Sequence, residues 1–243
     1  SCSFSDPLLV LRGEIRLLPR GFHLDSYAAV LKENKLLRGY MNTILYTVAG
    51  TLINILLTTT GAYALSCENL RGRKMITRFI IFTMLFSGGL IPTYIVVSNL
   101  NLLNTMWSIV LPNAVSVTNF IIMKSSFENG IPKDLKEAAR VEGCSNIGVF
   151  TKIVLPLSKS IIAVMVIFYS VGHWNEYFNA LLYITDKAKQ PLQVILRDIL
   201  ISNEHTEMMG NVNQLNSETR AMIAEGMKYS TIVLSSLPMI LFL

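Results

Sequence analysis

The sequence predicts an all-α polytopic membrane protein, and three observations carry that reading. Apolar residues make up 51% of the 243-residue chain and charged residues only 15%, well under the share of about a quarter usual for soluble domains. Mean hydropathy is positive, at +0.47. Charge-free stretches of membrane length also alternate with short basic loops. The net charge of +5 is dispersed among loops with acids beside it and forms no aromatic-interleaved basic patch, which excludes nucleic acid as a partner. Cys2, Cys67 and Cys144 have neither metal nor redox spacing, and an odd count argues against a disulfide framework. The first residues show no basic stretch running into an apolar one, so no signal peptide is expected there.

Taken in order, residues 1–39 form an outer segment ahead of an apolar, membrane-spanning domain, 40–243. Arg38 and Glu68 bracket the first span, near Tyr40–Leu65. The charge-free run from Arg78 to Lys124 is too long for one helix. Ser98-Asn99-Leu100-Asn101, with Asn104-Thr105, is turn-forming and divides it into spans near Met75–Val97 and Trp107–Met123. Gly88-Gly89 and Pro92 are expected to kink the former. A fourth span is expected near Ser158–Ile184. The last apolar run, Tyr229–Leu243, reaches only about 22 Å at helical rise, short of a hydrocarbon core of about 30 Å.

Orientation follows from the loops. Arg71, Arg73, Lys74 and Arg78 crowd the first connection, and Lys124, Lys133, Lys136, Arg140, Lys152 and Lys159 the third, whereas the second carries no charge. The positive-inside rule therefore puts loop 124–158 in the cytoplasm and loop 185–228 outside, the latter with an amphipathic helix around Leu192–Leu200. Lys32, Lys35 and Arg38 run against this assignment.

Loop 124–158 carries the most internal structure. Ile131-Pro132-Lys133-Asp134 reads as a helix start with proline in the first turn, and Asp134 and Glu137 lie near the positive end of the helix dipole. Leu135, Ala138, Ala139 and Glu142 favour helix, and Gly143 ends it at positive φ. Ser145 caps a second helix with Ile147, Phe150, Ile153 and Val154 on one face, until Pro156 interrupts it. An ordinary cytoplasmic hairpin is the plain alternative to a docking element.

The spacing Glu137-Ala138-Ala139, x3, Gly143, x9, Ile153-Val154-Leu155-Pro156 resembles the cytoplasmic EAA loop of ATP-binding-cassette (ABC) importer permeases. The resemblance to the maltose-type, carbohydrate-importing members, and above all to those serving complex oligosaccharides, covers nearly the whole chain. It rests also on Pro19-Arg20-Gly21-Phe22 with Tyr27, Asn42-Thr43, Gly61-Ala62-Tyr63-Ala64-Leu65, Ile131-Pro132-Lys133-Asp134-Leu135 and Trp174-Asn175-Glu176-Tyr177-Phe178. Glu142 departs from the Asp common before the glycine, with charge kept.

The resemblance implies a type I ABC importer transmembrane domain with about five spans present, the first family span missing and the last one cut. It implies a multi-pass subunit of the bacterial cytoplasmic (inner) membrane, without catalytic activity. Its expected partners are an ATP-binding-cassette ATPase dimer, a second related permease subunit, an extracellular solute-binding protein and membrane lipid. Glu137, Ala138, Ala139, Arg140, Glu142, Gly143, Leu155 and Pro156 would couple to the ATPase, with Glu137 pairing to a basic group there. No Gly-x4-Gly-Lys-Ser/Thr cradle is present, so no cofactor is expected in this chain, and ATP with Mg would be held by the partner.

Glu176 is the one acid predicted inside a span, where a charge costs about 2.5–3.5 kcal/mol unless it faces protein or water. At helical spacing Tyr169, His173, Glu176, Asn179 or Ala180, and Tyr183 form a polar stripe, flanked by Trp174 and Asn175, that suits a sugar path. Asn113, Ser116 and Asn119 make a weaker one, equally suited to interhelical hydrogen bonds. The alternative for Glu176 is a bond to a neighbouring loop near the outer interface. His173-x-x-Glu176 has metal-ligand spacing, but bundle metal sites need carboxylates from facing helices, so no metal is expected. The rival functions are a permease for peptides, amino acids or anions, an intramembrane enzyme using His173 and Glu176, and a passive channel or scaffold.

Overall fold

The computed structural model describes residues 34–199, together with 233, 236 and 240. Expectations for Pro19–Tyr27, the loop beyond residue 199 and the run Tyr229–Leu243 lie outside the described residues, apart from those three helical positions. Among the described residues all regular structure is helical: α1 Asn34–Ser66, α2 Arg73–Leu85, α3 Leu90–Asn99, α4 Trp107–Val110, α5 Val117–Asn129, α6 Lys133–Val141, α7 Asn146–Val149, a π-helical segment Phe150–Val154, α8 Leu155–Leu157, α9 Lys159–Trp174 and α10 Phe178–Tyr183. Residues 192–199 are helical as well, with Leu192 and Val194 buried and Arg197 and Asp198 exposed, as the amphipathic pattern predicts.

The spans are more broken than the hydropathy suggests. The first begins earlier than expected, and at 33 residues α1 is about 50 Å long, the one described helix that meets the length and composition of a membrane span unaided. The second is a pair, α2 and α3, bent by 113° at Ser87-Gly88-Gly89, where Gly89 takes φ +86°. The glycines do kink it, and by far more than curvature. Asn101 and Asn104 both adopt left-handed conformations in the turn that follows, a geometry asparagine tolerates.

The expected span Trp107–Met123 is not one helix. Pro112 offers no N–H to continue α4, and Ser116 starts α5 afresh by accepting from the Asn119 N–H. Ser158–Ile184 is interrupted too, because α9 ends at Trp174 and α10 begins at Phe178. The segments Asn146–Leu157 and Lys159–Trp174 form a second bent pair, at 80°.

The chain divides into two compact units. One comprises Ser1–Leu45 with Asn175–Leu243. Within it Asn42 donates to the carbonyls of Ala188 (2.9 Å) and Gln190 (3.1 Å), and the Leu192 N–H donates to the buried Thr43 hydroxyl at 2.8 Å. The Asn42-Thr43 pair thus clamps the segment leading into helix 192–199. The other unit, Tyr46–Trp174, holds the hydrophobic core formed by Ala62, Tyr63, Leu65, Phe120, Met123, Phe127, Ile131, Val149, Val154, Met165 and Tyr169.

Candidate functional site

That core is where loop 124–158 is rooted. Pro132, in extended geometry with φ −51° and ψ 135°, stands one position earlier than a first-turn proline and serves as the N-cap of α6. Asp134 occupies the first turn and Arg140 the last, both favourable to the helix dipole. Gly143 has φ +81°, and the turn closes by two backbone bonds, Gly143 N–H to Arg140 O (3.0 Å) and Cys144 N–H to Ala139 O (2.9 Å). This is the paired closure of a glycine-terminated helix. Ser145 then caps α7, its hydroxyl accepting from the Gly148 N–H at 3.2 Å.

The second half of the hairpin departs from the expected face. Ile147 is 74% exposed, whereas Val149 and Val154 are fully buried. The π-helical segment explains it: the Leu155 N–H reaches back five residues to Phe150 O, and residues five apart then share a face. Pro156 lies inside the short α8, and the chain bends after it, at Ser158. Leu155 is half-buried and Pro156 exposed.

The hairpin is tied to the rest of its unit at several points. The Tyr63 hydroxyl donates to Asn146 O at 3.0 Å, and its ring stacks on Phe150 with centroids 4.7 Å apart. Lys136 Nζ donates to Phe127 O at 2.6 Å, and burial pushes its ammonium below the usual lysine range. Lys133 pairs with Glu68 at 2.5 Å across the surface, which lowers the carboxyl and raises the ammonium. A cleft of about 310 Å³ between the end of α1 and α6 is lined by Glu68, Glu128, Lys133, Lys136, Glu137 and Arg140 among others.

What α6 leaves outward is unusual for a surface helix. Leu135, Ala138 and Val141 form an exposed stripe at three-residue spacing, Val141 at 89% exposure, while Lys136, Ala139 and Arg140 are partly buried. Glu137 and Glu142 flank the stripe in solvent. Ala138 and Ala139 therefore differ in role: Ala139 packs on the core and Ala138 faces out. The arrangement suits a partner offering an apolar groove with basic groups beside it.

The intramembrane residues separate into two groups. The Tyr169 hydroxyl, buried, sits 2.8 Å from the Thr58 hydroxyl and 3.4 Å from the Ser116 N–H. His173 Nε2 lies 3.1 Å from Asn54 Oδ1, and the Asn54 amide donates to the Asn113 carbonyl at 2.9 Å. Gly50 makes room for that imidazole, since a Cβ there would stand 2.5 Å from Nε2. Asn113 is thus engaged through its backbone and itself exposed, and Asn119 through the N–H that Ser116 caps.

Trp174 is buried and Asn175 exposed. The stripe from Tyr169 to Tyr183 is not continuous, because residues 175–177 are not helical. Glu176 Oε1 accepts from the Asn179 N–H at 3.1 Å and so caps the start of α10, a bond within its own segment rather than to a neighbouring loop.

Sequence reasoning missed the polar face of α1, which bonds Tyr169, Ser170 and His173. Thr43, Thr47, Thr51, Asn54 and Thr58 recur every three or four residues, and all are buried. Their helical period was the available signal, hidden because uncharged polar residues do not interrupt an apolar span.

Residues 26–243 match the family described as the binding-protein-dependent transport system inner membrane component. Protein LplC of Bacillus subtilis (strain 168) is 41% identical over 238 residues, 98% of this chain and 79% of the relative. The polygalacturonan/rhamnogalacturonan transport system permease protein YtcP of the same organism is 38% identical over 241 residues, 99% and 83% respectively. A chain in the crystal structure of a bacterial ABC transporter involved in the import of the acidic polysaccharide alginate superposes with a TM-score of 0.89 at 32% identity, covering 99% of this chain and 84% of that one.

Proposed function

Because the chain belongs to the binding-protein-dependent transport system inner membrane components, the permease subunits of ABC importers, we propose that it passes oligosaccharides through a bacterial inner membrane in several spans. The substrate class is supported by the named relatives: one carries polygalacturonan or rhamnogalacturonan and the structural neighbour alginate, all polymers with uronic acid units. Short acidic oligosaccharides are therefore the first substrates to try.

The observation that carries the coupling role is the exposed Leu135–Ala138–Val141 stripe on a hairpin rooted in the core. An apolar stripe in water is stabilised by a partner, and a rigid hairpin transmits that partner's displacement. An ATPase dimer would seat α6 in a groove, with Glu137 against a basic group, and its closure would draw on the hairpin. Val149, Val154 and the Tyr63–Phe150 stack would pass the motion to α1 and α9. ATP and Mg belong to that ATPase, and a solute-binding protein and a second permease complete the assembly. Arg140, Glu142, Gly143, Leu155 and Pro156 shape the docking hairpin. Whether Asn179, Glu176 and His173 meet substrate is decided by transport assays on their variants.

The test is co-purification of the full-length protein from its native membrane, followed by uptake of labelled oligogalacturonate and a neutral oligomer of equal length. Recovery of an ATPase with the wild type and its loss with Glu137→Lys is expected, together with preferential acidic uptake. Retention of the ATPase by Glu137→Lys removes the docking assignment; preference for the neutral oligomer removes the substrate class.

A further inference from the structure

The first basic connection does more than set topology. A cleft of about 770 Å³, within the range of about 300–1,000 Å³ usual for small-ligand sites, opens over the start of α2 and is lined by Glu68, Gly72, Arg73, Lys74, Thr77, Arg78 and Lys124 together with Leu70 and Met75. Two of the four cations, Arg73 and Lys124, share a single carboxylate oxygen of Glu128, and the acid in the lining, Glu68, is paired with Lys133. Lys74 and Arg78 have no carboxylate partner among the described residues, so the cleft holds uncompensated positive charge. Lys74 and Arg78 are one helical turn apart and share a face of α2.

Two further features point the same way. The N-cap of α2 is Gly72, at φ +79°, which supplies no side-chain acceptor, so the positive end of a 13-residue helix opens into the cleft. Directly beyond the cations α2 turns apolar on its exposed side, with Met75, Phe79 and Phe82 at helical spacing.

We propose that this cleft binds the phosphodiester headgroup of an anionic phospholipid, with Lys74 and Arg78 and the Lys74 and Met75 amides at the start of α2 as its donors. The acyl chains then lie along Met75, Phe79 and Phe82. A phosphate group is the shared chemistry, and the adjoining apolar stripe favours a lipid over free phosphate. The site uses the membrane placement of the chain but not the identity of the sugar, so failed oligosaccharide uptake leaves it standing.

The experiment is native mass spectrometry of the full-length protein released from mild detergent with phosphatidylglycerol or chain-matched phosphatidylcholine. Wild type should retain phosphatidylglycerol selectively. Each of Lys74→Gln and Arg78→Gln should weaken it about fivefold and the pair about thirtyfold, on the order of one surface lysine or arginine each. The charge-keeping pair Lys74→Arg with Arg78→Lys should bind as wild type, which separates charge from folding. Equal retention by the neutralised pair, or equal binding of the two lipids, overturns the proposal. So does displacement by millimolar inorganic phosphate, which would make it a free-phosphate site, or by a co-purified ATPase, which would give the cleft to a protein.

Discussion

Replacing Gly143 with leucine tests the proposed docking role of the hairpin most directly, because the structure isolates one physical cause. At φ +81° a side chain meets the following carbonyl, at a cost of about 1–2 kcal/mol for an ordinary L-residue. A Cβ at Gly143 has nothing within 4 Å, so no clash with a neighbour adds to this. The strain is relieved only by leaving the turn, which breaks the Gly143–Arg140 and Cys144–Ala139 backbone bonds and swings α6 relative to α7. A strain of about 1–2 kcal/mol lowers the weight of the docking-competent turn by a factor of about 5 to 30, and apparent affinity for an ATPase falls with it. Asparagine tolerates this conformation and serves as the matched control. The assay is binding of the partner ATPase to full-length permease in nanodiscs, with membrane insertion checked separately. The expected order is wild type, then Gly143→Asn, then Gly143→Leu, with insertion unchanged. Wild-type affinity in Gly143→Leu, or equal losses in the asparagine and leucine variants, would refute the argument from backbone conformation.

Three other outcomes are expected. Tyr169→Phe leaves the buried Thr58 hydroxyl short of a partner and should lower thermal stability by about 1–3 kcal/mol, with Thr58→Val in the same chain recovering part of it; a change confined to substrate affinity would move Tyr169 to the sugar path. Glu176→Gln keeps an acceptor for the Asn179 N–H and should leave assembly intact, whereas Glu176→Leu should destabilise by about 1 kcal/mol; a transport defect in the glutamine variant alone would show that the charge itself meets substrate. The Glu68–Lys133 pair should hold through neutral pH, read by hydrogen exchange in the first turn of α6. The lowered Glu68 carboxyl contributes above its ordinary value and is lost as pH falls through the depressed one, and the raised Lys133 ammonium is lost only as pH rises through its raised one. Glu68→Gln should therefore speed exchange at neutral pH and low salt but not at a pH below the depressed carboxyl value, and a difference that survives acidification contradicts the pairing.

How much of the site was legible depends on whether its cause was local. The left-handed Gly143, the Ser145 cap and the break at Gly88-Gly89 each follow from the chemistry of one or two residues, and the structure has all three. The face of α7 did not follow, since Ile147 points out and Val149 in once the π-helical segment changes the period from four to five. The division of Ser158–Ile184 into two helices at Asn175-Glu176-Tyr177 was hidden for a similar reason. Hydropathy registers how apolar a stretch is, not whether its backbone bonds run unbroken.

By itself the sequence determined the class, the basic connections and the helical hairpin over 133–157, because membrane solvation, charge and turn geometry act residue by residue. The tertiary structure alone decided which polar groups satisfy one another. Thr58 and Tyr169 are 111 residues apart and His173 and Asn54 119, and a hydroxyl in an apolar span carries no local mark of the partner it will find. The same holds for the basic cleft: Lys124 and Arg73 gather on Glu128 only when α5 packs beside α2, and that gathering leaves Lys74 and Arg78 with charge to spare.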